Sequence, residues 1–68
     1  MNEEALNLSV RKFLKKLGVT AQREIEQAVR EAAARGRLGG RTSFPAKATI
    51  TLQGIEFALE IEGDIEVA

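Results

Sequence analysis

The sequence predicts an α+β fold of ααββ order, a two-helix hairpin packed on one face of an antiparallel β-hairpin. Three observations predict it. Ile55, Phe57, Leu59, Ile61, Ile65 and Val67 occupy odd positions, while Glu56, Ala58, Glu60, Glu62, Asp64 and Glu66 occupy even ones. That alternation of period two marks a strand with one dry and one wet face. The first 35 residues instead space their apolar side chains three and four apart, the period of amphipathic helices. Glycines at positions 18 and 36 each follow such a stripe, where a helix commonly stops.

The first helix is placed at about residues 3–17. Asn2 caps it, Glu3 and Glu4 answer its positive end, and Leu6, Val10, Phe13, Leu14 and Leu17 form its stripe. Lys15 and Lys16 fall in the last turn and Gly18 closes it. The second helix is placed at about 21–35, with Thr20 as cap, Val19 as staple, and Ile25, Ala28, Val29 and Ala32 as its stripe. Gly36 ends it, and a glycine- and arginine-rich linker runs from 36 to 45.

Strands are placed at about 46–53 and 55–67, joined by a two-residue Gln53-Gly54 turn. Under that turn Leu52 faces Ile55, Ile50 faces Phe57, Ala48 faces Leu59, Ala46 faces Ile61 and Phe44 covers Gly63. All apolar residues then share one side, and Thr51 meets Glu56 while Lys47 meets Glu60 on the other. A slip of one residue would reverse every face. The last strand is expected to run through Gly63, with a Glu62-Gly63-Asp64 loop into a third strand as the alternative that also preserves parity.

Sixty-eight residues are expected to form a single small domain, 1–68, whose own core is marginal. There is no cysteine and no histidine, which removes disulfides, thiolate sites, the commonest metal ligand and the commonest general base. No stretch has the length of a membrane span, and no apolar leader opens the chain, which together favour a cytoplasmic protein.

The opening Met1-Asn2-Glu3-Glu4-Ala5-Leu6-Asn7 is familiar, as are the run Arg11-Lys12-Phe13-Leu14-Lys15-Lys16 and Gly18-Val19-Thr20 with Gln22-Arg23-Glu24-Ile25-Glu26. With Pro45-Ala46-Lys47, they resemble a small family of short bacterial proteins catalogued as a domain of unknown function. The resemblance implies a stand-alone cytoplasmic protein and carries over no catalytic or binding residue.

Charge is segregated along the chain. Residues 10–47 hold ten basic and three acidic side chains, the first nine residues carry −2 and residues 54–68 carry −5. Within the basic stretch, helix, Leu17-Gly18-Val19-Thr20, helix resembles a helix-turn-helix reader of DNA, in which Thr20, Gln22, Arg23, Gln27 and Arg30 would face the groove. Leu14 stands where that motif wants a small residue, Ile25 comes one position late, and Glu24, Glu26 and Glu31 oppose phosphate. Arg35, Arg37 and Arg41 among Gly36, Gly39 and Gly40 faintly resemble an anion-binding loop, without a stacking aromatic or a P-loop. Nucleic-acid binding through Arg23, Gln27, Arg30, Arg37 and Arg41 is therefore the alternative reading, and solvated helix faces are the simpler account.

The carboxylates Glu56, Glu60, Glu62, Asp64 and Glu66 stand on a flat wet strand, with neither a pocket to shift a pKa nor the clustering of a calcium loop. Ser9, Thr42 and Ser43 have no histidine to activate them. An enzyme is not expected, nor a cofactor, a metal or a small-molecule substrate. The leading expectation is a non-enzymatic protein–protein interaction module that self-associates, with itself or another protein as partner and no membrane. Leu8 and Leu38 fall outside the helical stripes while Ile65 and Val67 overrun the first strand, so these four are the expected self-association residues.

Overall fold

A computed structural model describes residues 1–68. The chain contains one helix, α1 (Glu3–Ala34), followed by two strands, β1 (Ser43–Thr51) and β2 (Ala58–Glu66). It divides into two compact units, Met1–Leu38 and Gly39–Ala68.

The two-helix hairpin does not form. Residues 17–20 continue α1 without interruption, and Gly18 is not among the glycines with positive φ. Thr20 is therefore an interior helical residue rather than a cap. The physical reason lies in the cost of stopping. A glycine inside a helix costs about 1 kcal/mol relative to alanine. Ending there would instead leave four carbonyls and four N–H groups without intrahelical partners, and would require a second nucleation. Good helix formers on both sides make propagation the cheaper outcome.

The true ends of α1 carry the expected chemistry. The Asn2 side-chain oxygen accepts from the Ala5 N–H at 3.0 Å, and Glu3 and Glu4 occupy the first turn. At the other end Arg35 is the cap and Gly36 adopts φ 65°. The Gly36 N–H donates to the Ala33 carbonyl at 3.0 Å and the Arg37 N–H to the Ala32 carbonyl at 2.8 Å. Those two bonds are the Schellman closure, which satisfies carbonyls that would otherwise have no partner.

The second unit is a two-stranded antiparallel hairpin, β1 against β2. Its last strand runs through Gly63 without a third strand, and the Val67 N–H extends the ladder to the Thr42 carbonyl at 2.8 Å. The expected register is shifted by two residues. Ile50 pairs with Leu59 rather than Phe57, Ala48 with Ile61, Ala46 with Gly63 and Phe44 with Ile65. The pairing closes at Thr51–Ala58, so residues 52–57 form the connection in place of the two-residue turn. A type I′ turn needs positive φ at both central residues. No non-glycine residue in the chain has positive φ, so Gln53 does not supply one, and Gly54 alone takes φ 99°.

A slip of two preserves parity. Phe44, Ala46, Ala48 and Ile50 still share a face with Leu59, Ile61 and Ile65, and the acidic residues of β2 remain on the other. Because the backbone at Gly54 is one that side-chain-bearing residues rarely adopt, Gly54→Ala is expected to destabilise the hairpin by about 1–2 kcal/mol. An added Cβ meets nothing within 4 Å, so the loss is conformational. Weakening of the Ile50–Leu59 cross-strand NOEs would report it, and unchanged intensities would refute it.

Candidate functional site

The most developed surface feature of the first unit is an apolar stripe along the whole of α1. The stripes expected of two separate helices are joined by Ala21. Leu6, Val10, Phe13, Leu17, Ala21, Ile25, Ala28 and Ala32 are spaced four, three, four, four, four, three and four. Leu14, Gly18 and Val29 border it. Much of the pattern repeats at eleven: Val10, Ala21 and Ala32; Leu14 and Ile25; Leu17 and Ala28. Eleven residues correspond to about 3.67 per turn, close to the 3.6 of a straight helix, so the stripe stays nearly parallel to the axis.

No residue of α1 is buried. Leu6, Phe13 and Leu14 are 47%, 50% and 47% exposed, whereas Leu17, Ala21, Val29 and Ala32 are half-buried. Leu6, Val10, Phe13 and Leu17 fill the amino-terminal half with bulky side chains, and three of the four members in the carboxy-terminal half are alanines, Ile25 being the fourth. Glu24, three residues after Ala21, and Glu31, three after Ala28, border this line on one edge, and Lys16 lies toward the same edge.

The residues proposed for nucleic acid take other places. Arg23, Gln27 and Arg30 do share one side of α1, but the helix-turn-helix turn that would have presented them is absent. Acidic neighbours engage two of the three. Arg30 Nη2 lies 3.3 Å from Glu26 Oε1, and Gln27 Nε2 donates to Glu31 Oε1 at 3.4 Å. Gln22 Nε2 also donates to Glu26 Oε2 at 3.0 Å. The Gln22 hydrogen bond, with Arg30 next, holds the Glu26 carboxyl below its ordinary value. These are i,i+4 pairs on an exposed helix face, where solvent screening leaves each with little net weight. Arg37 contributes its backbone N–H to the helix closure, and the Arg41 guanidinium stacks over the Phe44 ring at 4.4 Å. Arg23, Gln27 and Arg30 line one shallow, open hollow on α1 with Val19, Gln22 and Glu26.

Of the residues expected to mediate self-association, Leu8 and Leu38 belong to the first unit, and Ile65 and Val67 to the second. Leu8 is 62% exposed on α1, away from the stripe. Leu38 is half-buried just past the helix closure. In the second unit Ile65 and Val67 are both half-buried, and Ile65 lies across from Phe44. Sequence reasoning missed the continuity of the stripe. The signal that reveals it is Ala21, which bridges Leu17 and Ile25 at equal spacing and is easily passed over because alanine is small.

On the wet face of the hairpin, Lys47 pairs with Glu62 in the ladder and its Nζ lies 3.8 Å from Glu60 Oε1. Glu60, Glu62, Asp64 and Glu66 follow one another along β2, and no group of three carboxylates converges as a metal site would require. Glu56 lies in the connection between the strands. No helix is long and apolar enough to cross a membrane.

The chain matches the family of unknown function DUF6494 over residues 1–68, and it belongs to that family. The resemblance carried by the opening residues and by Gly18-Val19-Thr20 thus holds at the level of a family of uncharacterised short proteins. No curated protein and no solved structure is similar to it.

Proposed function

We propose that this protein is a non-enzymatic protein–protein interaction module whose partner is a second copy of itself. One observation carries the reading: a continuous apolar stripe from Leu6 to Ala32 on a helix that has no buried residue. An isolated helix is marginal in water, and most helical stability in proteins comes from packing an amphipathic face. Such a face on a long helix calls for a partner. The chain has no disulfide with which to reinforce itself. Two open hairpin edges, with Ile65 in β2 and Val67 just past its end, offer a further surface for antiparallel pairing between copies.

Sedimentation equilibrium tests this directly. The expected mass near 100 µM, an order-of-magnitude choice for a weak homodimer, is about twice the 7.4 kDa of the chain. A single species of 7.4 kDa at millimolar concentration, with the stripe protected from solvent within its own chain, would sink the proposal.

A further inference from the structure

We propose that two copies of α1 pair antiparallel along the Leu6–Ala32 stripe, about a twofold axis at the level of Val19. This inference rests on the self-association reading and adds the orientation, the register and the residues in contact. The spacing four, three, four, four, four, three, four reads the same in both directions. An antiparallel partner therefore meets apolar with apolar along the entire stripe. Leu6 faces Ala32 of the second copy, Val10 faces Ala28, Phe13 faces Ile25 and Leu17 faces Ala21, and the twofold repeats each pair.

Size and charge both favour this orientation over a parallel one. Antiparallel pairing sets the bulky amino-terminal half against the small carboxy-terminal half, so three of the four layers combine a larger side chain with an alanine. An in-register parallel pair would stack Phe13 on Phe13 and Leu6 on Leu6. It would leave Ala21, Ala28 and Ala32 facing themselves, with voids between helices that pack about 8–10 Å apart. Parallel pairing would instead set the edge that carries Glu24 and Lys16 against the opposite edge of the partner, so the two residues could not meet. The antiparallel arrangement places Glu24 opposite Leu14 and close to Lys16 of the second copy, on the edge the two residues share. In antiparallel helix pairs each edge meets the same edge of its partner, so Lys16 and Glu24 form two reciprocal ion pairs. Polar positions at such a seam are a known device for fixing register and orientation.

Cysteine cross-linking reads the orientation, because the chain contains no cysteine of its own. Leu6→Cys and Ala32→Cys proteins would be mixed in equal amounts and treated with a short bismaleimide. The expected product is the mixed dimer, one chain of each variant joined through the introduced thiols, well above its statistical share. The Leu6→Cys protein alone should cross-link poorly, since its two thiols would be about 39 Å apart at 1.5 Å rise per residue. Lys16→Glu should weaken dimerisation about fivefold, and Lys16→Glu combined with Glu24→Lys should restore it. Efficient cross-linking of the Leu6→Cys protein to itself, in a species of dimer mass, would overturn the antiparallel arrangement and leave self-association standing. A monomer mass for the unsubstituted chain overturns both. Failure of the charge reversal to rescue Lys16→Glu would remove the assigned register even if the mixed cross-link forms.

Discussion

Leu17→Asp is expected to convert the protein to a monomer, raising the dissociation constant at least about a hundredfold, or roughly 3 kcal/mol. Leu17 lies beside the proposed twofold axis, where it faces Ala21 of the second copy, so a single substitution places two carboxylates in the middle of the seam. Each would be removed from water against alanine, beside a Lys16 already engaged by Glu24, and a buried unpaired charge is among the costliest defects at an interface. Sedimentation equilibrium near 100 µM should then give 7.4 kDa. Helicity should become independent of protein concentration, because the helix no longer gains from association. Val19→Asp is the matched control. Val19 is 59% exposed on the opposite side of α1, so the substitution introduces the same carboxylate at the middle of the helix without a charge in the seam. It should leave the dimer mass unchanged. Equal behaviour of the two variants would show that α1 does not associate through this stripe.

Gly18→Ala is expected to stabilise α1 by about 1 kcal/mol, and Gly18→Pro to destabilise it by about 3 kcal/mol or more. The first substitution separates one continuous helix from two. In a continuous helix Gly18 has ordinary helical φ, an added Cβ meets nothing within 4 Å, and alanine simply reduces the entropy lost on folding. Had Gly18 closed a first helix in the left-handed region, alanine would be strained there and would destabilise the protein. Proline removes a hydrogen bond and clashes with the preceding turn at the helix midpoint, splitting a 32-residue helix into halves that are short for independent stability. Thermal unfolding followed at the helical circular dichroism band reads both variants. Loss of stability in Gly18→Ala would count against the continuous helix.

Several elements were legible from residue pattern alone because they depend on local chemistry. Asn2 caps α1 and Gly36 closes it, since a side-chain acceptor and a left-handed glycine each satisfy orphaned backbone groups within a few residues. The hairpin and its faces were legible for a similar reason. Alternation assigns each side chain to a side, and Ile50, Ala48 and Phe44 share their face with Leu59, Ile61 and Ile65 as that alternation requires.

Two features were not legible, and in both a local signal was compatible with more than one structure. Parity rejects a slip of one residue but is blind to a slip of two. The choice of Leu59 over Phe57 as the neighbour of Ile50 thus falls to the turn, where Gln53 does not take the positive φ that a two-residue loop demands. Gly18 likewise suits the end of a helix and is tolerated inside one. A turn at Leu17-Gly18-Val19-Thr20 would also have divided the apolar stripe between two helices, so the continuity of the stripe was lost with that turn in place.

The sequence by itself determined the helical and extended halves, the outer caps of α1, and the dry and wet faces of the hairpin. Only the three-dimensional structure decided that α1 runs unbroken from Glu3 to Ala34 and that Ile50 lies beside Leu59. The physical reason is one of scale. Capping and alternation are settled over a few residues, whereas continuity and register depend on free energies summed along a whole element, in which one glycine of about 1 kcal/mol is outweighed by the hydrogen bonds that continue on either side.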